Sequence, residues 1–191
     1  MKSILQSIKP QYCELIASGK KTVEVRKTRP KLDVPFKAYI YCTKDKLLTK
    51  SHNNGNIYLS ENKYKSALEK AGNVTLSGKV IGEYVCDEIT EYTYFEYASH
   101  LISEDELFST GITFNELLKY GNKKPLYLWH ISDLVIYDKP KELSVSVKYG
   151  FEQDYAEWEH YSIAGVNGKE PDIDDYRLIS SPQSWCYVEE V

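Results

Sequence analysis

The sequence predicts an α+β, mainly β protein: a small mixed β-barrel of roughly five to six strands with short flanking helices. Three observations carry this expectation. Short runs rich in Val, Ile, Tyr and Phe recur along the chain, at 4–8, 22–26, 35–42, 75–86 and 126–137. The helical stretches between them are few and short, with no regular strand–helix–strand alternation and no Gly-rich phosphate loop. Gly78 and Gly82 interrupt the best strand, as a bulge or tight bend at a barrel corner would.

Taken in order, Ile4 to Ile8 alternates apolar and polar residues and reads as an opening strand. Pro10 sits at the first position of a helix, where its missing N–H costs nothing, and Gly19 closes that helix. A charged strand runs to Arg26, followed by the basic loop Lys27 to Lys31. Residues 35–42 form the next strand, 43–57 a long loop and 59–70 an amphipathic helix. Residues 87–107 have ambiguous periodicity, but Ser103-Glu-Asp-Glu106 marks a helix start. Thr113 to Tyr120 makes one or two turns stopped by Gly121. Residues 126–137 read as one long central strand, with Asp138-Lys-Pro-Lys turning away from it. The tail from Ser181 holds a last short strand that needs a neighbour.

Length and composition suit one soluble domain with a sizeable core: 191 residues, 42% hydrophobic and 27% charged. No apolar run is long enough to span a bilayer, and the N-terminus lacks a signal peptide's apolar core, so a cytoplasmic location is expected. Cys13, Cys42, Cys86 and Cys186 form no Cys-x-x-Cys pair, and the four histidines show no ligand spacing. Core thiols and no metal or cofactor are therefore expected. The net charge of −4 is unevenly spread. Residues 1–50 hold 12 of the 24 Lys and Arg against four acids, so this part is strongly basic and the remainder strongly acidic. Residues 152–175 set eight acids against Lys169 alone. A basic half permits an anionic ligand on a chain that is acidic overall.

The densest chemistry lies in Ser18-Gly-Lys-Lys-Thr-Val-Glu-Val-Arg-Lys-Thr-Arg-Pro30. On a strand, Val23 and Val25 take one face while Glu24 and Arg26 share the other, beside Lys21 at the strand's mouth. A solvated edge strand with alternating charges has the same pattern, and so does a structural salt-bridge cluster. His130 and Ser132 alternate with Trp129 and Ile131, with no third group to orient a dyad.

Gly19-Lys20-Lys21-Thr22-Val23-Glu24-Val25-Arg26 fits Gly-x-Lys-x-x-Glu-x-Arg and resembles the signature of the ASCH domain family in the PUA-like superfamily. The flanking segments agree: Ser7-Ile-Lys-Pro-Gln-Tyr-Cys-Glu-Leu-Ile16 before it, then Gly78 to Tyr84, Tyr127 to Leu134, Tyr137 to Leu143 and Pro182 to Val188. The chain is thus similar, over about 1–143 and 180–191, to small ASCH proteins common in bacteria and their prophages. Residues 145–178 fall outside the pattern and read as an acidic insertion before the last strand of a single 1–191 domain.

The resemblance implies a barrel with a cleft beside the first helix, and an RNA, nucleoside or nucleotide ligand. It also implies a possible hydrolase, since some members act on modified cytidines or on RNA. In the members that deacylate N4-acetylcytidine, a lysine matching Lys21 is the proposed base or activating group and a threonine is the nucleophile. Glu24 stands at that threonine's position here, and the acid of that site has no assigned counterpart among Glu104, Asp105 and Glu106. Lys21 and Glu24 are accordingly the candidate catalytic residues. Lys9, Tyr12, Lys21, Glu24, Arg26 and Trp129 are the candidate ligand-binding ones.

Two readings stay open. In a binding module, Arg26 offers a planar fork to a phosphate, Glu24 can accept from a base's exocyclic amine, and an aromatic such as Tyr12, Trp129 or Trp185 stacks a base. In a hydrolase, Lys21 must lose its proton near neutral pH, which Glu24 opposes by stabilising the ammonium form. A third class, an interaction protein using its acidic insertion, has no motif to test it.

Overall fold

The computed structural model describes residues 2–44, 77–148, 150, 154, 156, 157, 159 and 170–189. The expected loop from 45 and the helix at 59–70 lie outside the described residues.

Eight strands are present among the described residues, more than the sequence suggests. They are β1 (Lys2–Ile8), β2 (Val23–Arg26), β3 (Phe36–Cys42), β4 (Lys79–Cys86), β5 (Ile89–Tyr92), β6 (Leu126–His130), β7 (Ser132–Glu142) and β8 (Trp185–Glu189). Short helices accompany them: α1 (Pro10–Ala17), α2 (Tyr94–Ala98), α3 (Glu104–Ser109), α4 (Phe114–Gly121) and α5 (Ile173–Tyr176). The strands form a five-stranded sheet, β7-β4-β3-β1-β8, and a three-stranded sheet, β2-β6-β5. Among the described strands, β1 and β3 pair in parallel and the other pairings are antiparallel. The mixed α+β class is as expected, but among the described residues the two sheets do not close into a barrel.

The reason lies in one bent ladder. β4 pairs with β7 and β5 with β6, with Val85 opposite Ser132 and Ile89 opposite Trp129. The two arms turn together at Asp87–Glu88 and at Ile131, where the Ile131 amide donates to Thr22 O (2.8 Å) and the His130 amide to Glu88 O (2.9 Å). A sheet that folds over at such a corner becomes two facing layers. The run 126–137 is therefore two strands in two sheets, not one central strand. Asp138 to Lys141 does not turn away either: β7 continues to Glu142, and Pro140 is tolerated because β7 is an edge. Gly82 serves the bulge the sequence suggests, since the β4–β7 register shifts there and a Cβ would overlap the carbonyl of Val135.

Each face of the layers is covered. Ile4, Ile8, Ile40, Tyr84, Trp129 and Ile131 fill the space between the sheets, with Cys13 and Ile16 of α1 closing one side. Val23, Val25, Leu126 and Leu128 pack outward against Tyr97, Ile102 and Leu117 from the α2–α4 segment. Leu5, Tyr39, Val80 and Val188 pack on the far side against Leu178. Helices α2 to α4 start on side-chain caps: Thr93 and Thr113 head full capping boxes with Glu96 and Glu116, and Ser103 accepts from the Glu106 amide. Asn122, not Gly121, takes the left-handed position that ends α4, at φ 48°. Gly121 is glycine for space, because a Cβ would run into the Tyr97 hydroxyl. The cysteines are thiols; Cys13, Cys42 and Cys86 are buried and Cys186 half-buried. Among the described residues, no helix is long and apolar enough to cross a membrane.

Candidate functional site

Four residues of β2 divide as the alternation requires. Val23 and Val25 face the helices, while Glu24 and Arg26 face inward between the sheets, with Glu24 directly opposite Trp129 in the β2–β6 register. Lys21 reaches the same place from the turn after α1. All three charged residues are buried, at 3%, 6% and 6% relative exposure for Lys21, Glu24 and Arg26.

Glu24 bridges the two cations. Its Oε2 lies 3.1 Å from Lys21 Nζ and its Oε1 lies 3.0 Å from Arg26 Nη2. Lys21 also donates to Val23 O (2.8 Å) and Thr110 O (2.5 Å). Arg26 Nη2 donates to Ser7 O (2.9 Å), and Nη1 to Ser184 O (3.3 Å) and Ser184 Oγ (3.2 Å). The charged row thus ties together the end of β1, the turn after α3 and the entry to β8. Two cations meet one carboxylate, so the buried network carries a surplus positive charge held by carbonyl dipoles. Its satisfaction is also incomplete: Glu24 Oε2, Arg26 Nε, Gln6 Nε2 and Trp129 Nε1 are buried without a hydrogen-bond partner among the described residues. The Lys21–Glu24 contact is an ion pair rather than an aligned hydrogen bond.

Aromatic rings border the network. The Tyr12 ring is 5.5 Å from Lys21 Nζ, and Tyr120 lies under Lys27 at 4.8 Å. Burial pushes both phenols up, and the Glu24 charge adds to each. Tyr84, fully buried on β4, donates to Gln6 Oε1 (2.7 Å) and also feels Glu24 and Arg26. The basic loop after β2 lies against β8: the Lys31 amide donates to Tyr187 Oη (2.7 Å), and Trp185 Nε1 to Thr28 Oγ1 (3.1 Å). Trp185 and Tyr187 meet edge to face at 5.4 Å, and Lys2 covers the Tyr187 ring at 3.9 Å.

Of the residues singled out from sequence, Lys21, Glu24 and Arg26 come together and Tyr12 flanks them. Lys9 is exposed at the start of α1. Trp129 is fully buried and packs on Phe36 and Trp185, so it has no face open to a base. Glu104, Asp105 and Glu106 form the first turn of α3, where Glu106 accepts from Tyr92 Oη (2.5 Å). His130 and Ser132 end in different sheets; His130 Nδ1 instead meets Asp87 Oδ1 at 2.7 Å. Sequence reasoning missed Ser7, Thr110, Tyr120 and Ser184. Thr110 and Ser184 are 89 and 158 residues from the cations they hold, and no local pattern marks such partners.

The chain matches the family model described as ASCH domain over residues 7–169. Among solved structures it is similar to ASCH from Zymomonas mobilis, at 15% identity and a TM-score of 0.51, covering 98% of this chain and 88% of that one. The N-terminal domain of McrB from Staphylothermus marinus also aligns, at 14% identity and a TM-score of 0.37, over 91% of this chain and 90% of that one. None of the curated proteins matches the chain. Likeness at such identities speaks for the fold, while the match over 7–169 speaks for descent: this chain belongs to the ASCH domain family, and its architecture fits the PUA-like superfamily.

Proposed function

We propose that this protein is an RNA- or nucleotide-binding module whose ligand lies over the Lys21–Glu24–Arg26 row and along the basic loop that follows it. The observation that carries the reading is the surplus positive charge buried where Lys21 and Arg26 meet Glu24, with Arg26 Nε lacking a hydrogen-bond partner among the described residues. That charge continues into exposed Lys27, Arg29 and Lys31 on a loop backed by Trp185 and Tyr187. Cations beside stacking platforms are what a single strand needs: charge for its phosphates and ring faces for its bases. Tyr120 and Trp185 supply faces that Trp129 does not. Residues 145–178 are, on this reading, an addition to a single domain, anchored where Val147 pairs with Arg177 and Lys148 with Val188.

The geometry favours binding over hydrolysis. Lys21 Nζ is enclosed by a carboxylate and two carbonyls, so its contacts are all within the fold and none is turned towards a substrate.

The test is titration of a fluorescent single-stranded RNA across a salt series. Lys27→Ala/Arg29→Ala/Lys31→Ala should weaken binding and flatten the log–log salt slope by about 2, since each lost phosphate contact removes about 0.7 on a single strand. An unchanged slope removes the loop from the interface. Absence of salt-dependent binding in the parent protein overturns the reading.

A further inference from the structure

The outward face of the three-stranded sheet carries a cavity, on the side of β2 opposite Glu24 and Arg26. It is a groove of about 350 Å³ between that face and α3, within the range of small-molecule sites. Val23 and Leu128 form an apolar floor. Around it stand the carboxylates of Glu88, Asp105 and Glu106, the hydroxyls of Thr22, Thr90, Ser103 and Ser109, and the ring of His130. No Lys or Arg lines it.

His130 is held in one orientation. Its Nδ1 is engaged by Asp87 Oδ1 at 2.7 Å, and Asp87, whose carboxyl is held below its ordinary range by that hydrogen bond, is not part of the lining. With Nδ1 engaged by Asp87, Nε2 is the nitrogen left for the groove. The other polar side chains of the lining are carboxylates and hydroxyls, each able to accept a hydrogen bond. The carboxylates of Glu88 and Asp105 have no partner among the described residues. The acceptors are also dispersed: among the described residues, no three His, Cys, Asp or Glu are gathered closely enough to hold a metal ion. Dispersed acceptors over an apolar floor suit a cation that is extended and partly apolar, not a compact one. Phosphate is repelled by the same carboxylates.

We propose that this groove binds a linear aliphatic polyamine, with methylene segments on Val23 and Leu128, ammonium groups on Glu88 and Asp105, and His130 Nε2 accepting from an amine. The site stands on its own and does not rest on RNA binding at the opposite face.

Isothermal titration of the full chain with spermidine, with magnesium chloride and sodium phosphate as comparison titrants, tests it. The expected result is saturable binding of spermidine alone. Glu88→Gln/Asp105→Asn should weaken it about tenfold or more, the order expected for two lost charge-assisted hydrogen bonds. His130→Phe, which keeps a ring but removes the acceptor, should weaken it several-fold. All three positions are exposed, so thermal melts of the variants should match the parent and separate lost binding from lost folding. No saturable spermidine signal, equal affinity in both variants, or magnesium saturating at the same concentration overturns the proposal.

Discussion

Lys21 donates to the carbonyl of Thr110, 2.5 Å away and 89 residues further along the chain. This single ammonium fastens the turn after α3 to the mouth of β2 while neutralising Glu24. Removing it leaves a buried carboxylate with one partner fewer and frees a carbonyl. Lys21→Ala should lower unfolding stability by about 3 kcal/mol, the lower end for breaking a buried pair, because Arg26 still holds Glu24. Glu24→Ala should cost more, about 3–5 kcal/mol, since it strands two cations. Urea unfolding measures both; a loss below about 1 kcal/mol in each would mean that the row is solvated rather than buried.

The aromatic residues separate by burial into two kinds. Tyr120→Ala or Trp185→Ala should reduce RNA affinity by about 1–3 kcal/mol while leaving a folded protein, as loss of a stacking platform does. Trp129→Ala should instead cost about 3–5 kcal/mol of stability, because its ring is fully buried against Phe36 and Trp185. Fluorescence titration beside thermal melts distinguishes the two; a stable Trp129→Ala that has lost RNA would reverse the assignment.

The close approach at the end of α4 predicts a coupled pair. Gly121→Ala places a methyl against the Tyr97 hydroxyl and should destabilise by about 1–3 kcal/mol. Tyr97→Phe loses the hydrogen bond to Lys124 O (2.9 Å) yet opens that space, so the double variant should be more stable than the two losses summed. Strict additivity in the double-mutant cycle would refute the clash.

The thiols should be nearly inert in the folded state. Burial raises Cys86 to about 12 and Cys186 to about 11, and pushes Cys13 well up as well. At pH 8 these groups sit far below their ionisation, and the thiolate is the reacting form. Iodoacetamide at pH 8 should label the native protein slowly and the urea-unfolded protein within minutes, read by mass spectrometry. Prompt native labelling of Cys86 or Cys186 would contradict the burial.

How much of this was legible depends on the range of the interactions. β1, α1, β2 and β3 follow from local signals: alternation, Pro10 at a helix start and Gly19 at its end. The division of 126–142 into two strands was not legible, because Ile131 changes sheets through a hydrogen bond to Thr22 that leaves no trace in propensity. The β character of Leu126 to Tyr137 is the same whichever sheet each half joins. At the site, the residue types at 21, 24 and 26 and their shared strand face were legible. Their closure on one another, and on Ser7, Thr110 and Ser184, arises from packing between segments far apart in sequence.

The short strand β2 has a consequence for how its variants are read. Its four residues place charge on one side and valine on the other, so a one-residue slip against β6 would drive Glu24 and Arg26 into the apolar layer beneath the helices and turn both valines inward. The charged row thereby acts as a lock on strand alignment during folding. A chain altered at 24 or 26 that reaches the wrong alignment loses the inner row and the outer groove in one step, and a missing activity in such a chain reports misalignment before it reports chemistry.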